Sequence, residues 1–171
     1  MAEPITAPHE LLAARLRQLL WIELKLADEV LPQFRDASFS TDLGYAFERH
    51  QLETEEHVQV LRRVLSQLEV HAEPEASPAL EGLAKEHEQL VKRLPAGDHL
   101  LLDLAHAEAA SATEHLELTS YHSLVSLAEA LGEEELAITL REVMEQEEYA
   151  LELVHRGRAK LLAERVESER E

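Results

Sequence analysis

A chain of 171 residues can bury one sizeable core, and a composition that is 45% hydrophobic but only 4% aromatic makes it a core of leucine, valine and alanine. The formal charge of −19 would repel nucleic acid and anionic membrane surfaces and attract cations. The absence of cysteine excludes disulfides, thiolate catalysis and iron–sulfur ligation.

Five glycines and six prolines among abundant alanine, leucine and glutamate predict an all-α chain. The first predicted helix carries Leu12, Leu16, Leu19, Leu26, Val30 and Phe34 at three-and-four spacing, with Glu23 in the middle of that stripe. After a turn at Asp36 to Ser40, the second helix presents Leu43, Phe47, His50, His57, Leu61, Val64 and Leu68 on one face, with Glu53 beside the two histidines. Residues 71–76 break the pattern. Ser77-Pro78 then opens a shorter helix over about 78–94, closed by Pro95-Ala96-Gly97, and Asp98 can cap the third long helix. That helix runs Leu100, Leu104, Ala107, Ser111, Glu114, Leu118, Tyr121, Val125, and the fourth Leu136, Leu140, Val143, Glu147, Ala150, Val154. From Arg156 a tail of mixed charge extends the last helix or frays.

Two hairpins packed side by side need a segment that carries the chain from one end of the bundle to the other. The expected architecture is therefore a ferritin-like four-helix bundle with a short crossover helix between helices two and three. It forms one domain over residues 1–171, with its core over about 9–166. No basic leader precedes an apolar run and no eighteen apolar residues occur together, so a soluble cytoplasmic protein is expected.

Two antiparallel helices place residues level when they are equally far from the joining turn. Glu23 and Glu53 are equidistant from Ser38, and Glu117 and Glu147 from Gly132; no glycine, proline or insertion is expected to disturb either count. Glu114 lies one turn before Glu117 on the same face, offering a second oxygen about 4.5 Å along the axis. Carboxylates converging in a dry core must be protonated or share a cation, and a pair of divalent metal ions is the simplest solution. A donor set of carboxylates with one or two imidazoles suits iron or manganese.

Over residues 11–162 the chain resembles the YciF-like ferritin-like stress proteins. The resemblance is carried by His50-Gln51-Leu52-Glu53-Thr54-Glu55-Glu56-His57-Val58, by Glu114-His115-Leu116-Glu117 with Ser120-Tyr121, by Leu127 to Gly132, and by Glu145-Gln146-Glu147-Glu148. It implies a dinuclear iron or manganese centre and an association with stress response and oligomerisation. Carried across residue by residue, it makes Glu23, Glu53, Glu114, Glu117 and Glu147 ligands, with His57 as a terminal ligand on helix two. His57 follows Glu53 by four residues where ferritin-type pairs are spaced by three, so Glu56 competes with it. Helix four departs further, offering only Ala150 or Leu151 where a polar partner of Glu147 is expected.

The expected function is binding of two iron or manganese ions, bridged by Glu53 and Glu147 and capped by Glu23, His57, Glu114 and Glu117. Oxidoreductase, ferroxidase or peroxide-scavenging chemistry on dioxygen or hydrogen peroxide would then draw on an external reductant. A homodimer is the expected assembly, with neither nucleic acid nor membrane as partner. The alternative is a non-catalytic scaffold that dimerises and keeps a degenerate metal site. His50 is either a ligand or a partner that orients one, and Tyr121 either fills the core or donates to a bound carboxylate. Glu55, Glu56, Glu145, Glu148 and Glu152 are surface charge on this reading, while His106, His115, His122 and His155 are partly exposed.

Overall fold

The computed structural model describes residues 4–168, and among them there is no strand. The elements are α1 (Pro8–Lys25), a π-helical segment (Leu26–Val30), α2 (Leu31–Ala37), α3 (Thr41–Gln67), α4 (Pro78–Val91), α5 (His99–Leu131) and α6 (Glu134–Ser168). The ends follow the local chemistry of the sequence. The Ser40 hydroxyl accepts from the Leu43 amide at 3.4 Å and the Asp98 carboxylate from the Leu101 amide at 3.0 Å, satisfying amides that have no partner within the helix. Gly132, at φ 78°, stops α5 in the left-handed conformation that glycine adopts without a Cβ clash. The crossover helix ends at Val91, three residues short of the expected boundary, because Pro95 has no N–H for the Val91 carbonyl four residues back and its ring crowds that carbonyl.

Packing runs α1 on α3, α3 on α6, α6 on α5 and α5 on α1, closing a ring of four long helices around Leu16, Leu19, Leu20, Phe47, Leu61, Leu124 and Leu140. Directions follow from named contacts. The Asp103 carboxylate near the start of α5 accepts from the Phe39 and Ser40 amides at 3.0 and 2.7 Å, so α5 begins at the same end as α3. The linker and α4 therefore carry the chain back along the bundle, as a ferritin-like crossover does.

Helix one is not regular. Between Leu26 and Val30 it widens to π geometry, with the Leu31 amide bonding to the Leu26 carbonyl five residues back. Pro32 supplies the reason: it has no N–H for the Asp28 carbonyl, and its ring crowds that carbonyl in a regular helix. The inserted residue advances the inward face by one position. Leu31 is buried where the stripe predicts Val30, which is only half-buried.

α6 continues as helix through the mixed-charge tail, and Gly157 lets it approach α3. A Cβ there would lie 2.7 Å from Leu43 Cδ2, and Leu43 is itself fully buried at the start of α3 with no room to withdraw. Alanine gains up to about 1 kcal/mol in helix propensity, whereas overpacking a closed site costs about 1–3 kcal/mol. Gly157→Ala is expected to lower the melting temperature, and a rise would contradict this close approach.

Candidate metal centre

Six polar side chains meet inside the ring at the level of Glu23: Glu23 from α1, His50 and His57 from α3, Glu114 and Glu117 from α5, and Glu147 from α6. None is more than 3% exposed. They form two groups whose donor atoms lie within 4.8 Å of one another, His50–Glu114–Glu117–Glu147 and Glu23–His57–Glu147. Glu147 belongs to both. Its Oε1 lies 2.9 Å from His57 Nδ1 and its Oε2 3.6 Å from His50 Nε2.

Five of the six ligands expected from sequence are thus brought together, and Glu53 is not. The inward line of α3 runs through His50, Thr54, His57 and Leu61, and Glu53 stands about 60° round the helix from His50 at 3.6 residues per turn. There its Oε1 accepts from Arg49 Nε at 2.9 Å, at the edge of the groove toward α6. The level count also moves slightly. Helix ends at Ala37 and resumes at Thr41, so the turn centres on Phe39, and the inward residues level with Glu23 are Thr54 and His57. Thr54 is occupied, its hydroxyl donating to the His50 carbonyl at 2.8 Å.

The donor inventory is that of the dinuclear carboxylate bundles, four glutamates and two histidines, redistributed over the helices. Both imidazoles come from α3, and no Glu-x-x-His pair is used. His50, not Glu53, is the α3 residue that joins Glu114, Glu117 and Glu147, and α6 contributes only Glu147, with buried Ala150 one turn on.

These groups have no internal explanation. Both oxygens of Glu117 and of Glu147, one oxygen each of Glu23 and Glu114, both nitrogens of His50 and Nδ1 of His57 are buried without a hydrogen-bond partner. Native interiors leave few such atoms, each at a cost of about 1–3 kcal/mol. Asp103 shows the ordinary solution in the same molecule: equally buried, it accepts two backbone amides. In the cluster His50 Nε2 lies 2.9 Å from Glu114 Oε1, yet no aligned N–H joins the pair. Atoms aimed at a common point rather than at each other behave this way, because two donors at about 2.1 Å from one ion and at right angles to each other are about 3.0 Å apart. The donor set therefore fits a cation pair.

Electrostatics point the same way. Apolar surroundings alone would depress the histidines, but Glu114, Glu147 and then Glu23 outweigh this and raise His50 to about 9. His57, in contact with Glu147 and Glu23, rises to about 11. Burial first, then repulsion from Glu147, Glu23 and Glu114, pushes Glu117 well above the carboxylate range. Without a cation the cluster holds protons, which an ion would displace on binding.

Two residues orient the cluster from outside. The Tyr121 hydroxyl, fully buried, donates to Glu23 Oε1. Gln146 Oε1 accepts from His57 Nε2 at 2.8 Å, which leaves Nδ1 as the nitrogen facing Glu23 and Glu147. Gln146 lies on the exposed side of α6 and lines a cleft of about 400 Å³ with Arg49, Glu53, Glu142, Glu145 and Tyr149. Hydrophobic periodicity gives no signal for it. Because Glu53 belongs to this cleft and not to either group, Glu53→Gln is expected to change metal affinity less than tenfold, whereas His50→Ala changes it by 10–100-fold or more. Equal losses would reinstate Glu53 as a ligand.

A family model described as a domain of unknown function, DUF892, matches residues 7–167. The chain belongs to the DUF892 family. Among DUF892-related proteins, YciF of Escherichia coli K12 is 29% identical over 124 residues, covering 72% of this chain and 74% of its own length. YcfI from Rhodopseudomonas palustris superposes with a TM-score of 0.85 at 26% identity, covering 91% of this chain and 97% of that one. The structure of the E. coli stress protein YciF gives 0.85 at 23% identity, with 93% and 99% covered. The all-helical bundle is therefore a fold the chain shares with both structures, and no helix among the described residues is long and apolar enough to cross a membrane.

Proposed function

We propose that this DUF892 protein binds two iron or manganese ions between its four long helices and uses them in redox chemistry on dioxygen or hydrogen peroxide, in a stress-related role like that named for its E. coli relative. The observation that carries the reading is the set of buried, unpartnered carboxylate and imidazole atoms from α1, α3, α5 and α6 at one depth. His50, Glu114 and Glu117 would hold one ion, Glu23 and His57 the other, and Glu147 both.

Bound ions would supply one-electron steps and Lewis acidity toward an oxygen substrate. The chain's own part is to fix the ligands and exclude water. Tyr121 holds one Glu23 oxygen so that the other faces His57, and the leucines above and below keep the cluster dry. With no cysteine in the chain, continued turnover needs an external reductant.

The test is consumption of oxygen or peroxide after anaerobic loading with iron(II). The wild type should oxidise iron at least tenfold faster than Glu147→Ala, and equal rates would remove the redox reading. A second reading, a non-catalytic scaffold with a degenerate centre, is favoured by the lone ligand on α6 and by the provisional description of YcfI as a structural protein. It predicts no change in melting temperature at saturating manganese(II).

A further inference from the structure

The crossover helix is anchored by a single buried side chain. Of the 14 residues of α4 only Leu80 is buried, and two cavities adjoin the helix, one of about 450 Å³ between α2, α4 and α5 and one of about 120 Å³ against α5 alone. Non-helical residues 68–77 and 92–98 join α4 to α3 and α5, so it can move without unwinding a long helix. His87 of α4 lines both cavities. Its ring stands 5.3 Å from that of His106 on α5, centroid to centroid, and Phe34 of α2 stacks on His106 at 4.9 Å. The expectation that His106 is partly exposed fails, because at 4% exposure it is closed in by these neighbours.

Only the neutral form of either imidazole fits this contact. In both rings Nδ1 is buried without a hydrogen-bond partner. A neutral ring can carry its proton on Nε2 and leave Nδ1 bare, whereas an imidazolium has an N–H on each nitrogen and would strand a buried donor. The charges nearby offer no relief. Glu88 and Lys92 of α4 line the larger cavity but pair with each other at 2.5 Å, and Glu86 and Glu108 line the smaller one without pairing with His87. Asp103 on α5 commits both oxygens to the Phe39 and Ser40 amides, and α2 adds only Gln33 and Phe34 to the cavity wall. Burial first and then His87 lower His106 to about 4 against the pull of Asp103, and burial lowers His87.

We propose that α4 is an acid-released lid: protonation of His87 and His106 drives the helix off α2 and α5 and opens the cavity beneath it to solvent. The sign follows from the depressed values. Closure is fully favoured above the ordinary histidine value of 6.5 and weakens as pH falls from there toward about 4, because the open form takes up protons that the closed form refuses. Through His106 alone the opening constant should rise about 25-fold between about pH 7.5 and about pH 5, and His87 adds to this. The lid shares no residue with the metal cluster, so it stands or falls independently of the metal reading.

The test is hydrogen exchange of the α4 amides in the whole protein, corrected for the intrinsic pH dependence of exchange. Protection of α4 should fall about tenfold or more between about pH 7.5 and about pH 5, while the amides of α3 and α6 keep theirs. His87→Phe combined with His106→Phe, which keeps both rings and removes both titrating groups, should leave α4 equally protected at the two pH values. His87→Gln, at a half-buried position that tolerates a polar chain, guards against a double variant that does not fold and should by itself reduce the pH response. Protection of α4 that does not change with pH, that falls equally in α3 and α6, or that keeps its full pH response in the variants would overturn the proposal.

Discussion

Replacing Glu147 with alanine is expected to abolish binding of both metal ions, not one. It is the single side chain shared by the two donor groups, with one oxygen toward His57 and the other toward His50. Glu114 belongs to one group alone, so Glu114→Ala should retain about one ion per chain where Glu147→Ala retains none. Stability provides a second readout, because an ion that binds only the folded state adds about 2.7 kcal/mol at a hundredfold excess over its dissociation constant. Manganese(II) should therefore raise the melting temperature of wild type, raise that of Glu114→Ala less, and leave Glu147→Ala unchanged. A Glu147→Ala protein that still holds one ion would show that the two groups do not share a bridging carboxylate.

The second large effect has the opposite sign in the two states of the protein. Glu117 is fully buried with neither oxygen paired, so in metal-free protein it contributes only the cost of its desolvation. Glu117→Met keeps the volume and removes that cost. The metal-free variant is expected to be about 1–3 kcal/mol more stable than metal-free wild type, which corresponds to roughly 2–4 °C per kcal/mol in a chain of this size. In excess manganese(II) the order should reverse, because the variant has lost a ligand. Denaturation of both proteins with and without metal checks it, and a metal-free variant less stable than wild type would mean that Glu117 has a structural partner in solution.

What the sequence reveals of this centre depends on whether a residue interrupts a pattern. Glu23, Glu114 and Glu147 are visible because each replaces an apolar side chain on an inward stripe, and Glu117 because it lies one turn after Glu114 and level with Glu147 across Gly132. The choice between His50 and Glu53 is harder, since the two are three residues apart and both lie near the same face. Glu53 stands at the margin of that face, where Arg49 reaches it, and joins neither donor group. Gln146 is invisible in principle: it lies on an exposed face and reaches His57 only because a long amide can bend inward past its own helix. The π segment shows how Pro32 shifts a register that three-and-four spacing cannot detect, since Leu26, Val30 and Phe34 remain evenly spaced through it. The fold itself needs less detail, because the turn chemistry of Ser40, Asp98 and Gly132 and the length of the linker already require two hairpins and a crossover.

The most direct measurement of the central claim is the number of iron or manganese ions per chain, by elemental analysis of protein purified from metal-supplemented medium and dialysed. Two ions per chain in wild type, falling to none in Glu147→Ala, is the result predicted from the converging carboxylates and imidazoles. Wild type that retains neither metal, and that is not stabilised when either is added to saturation, would contradict it.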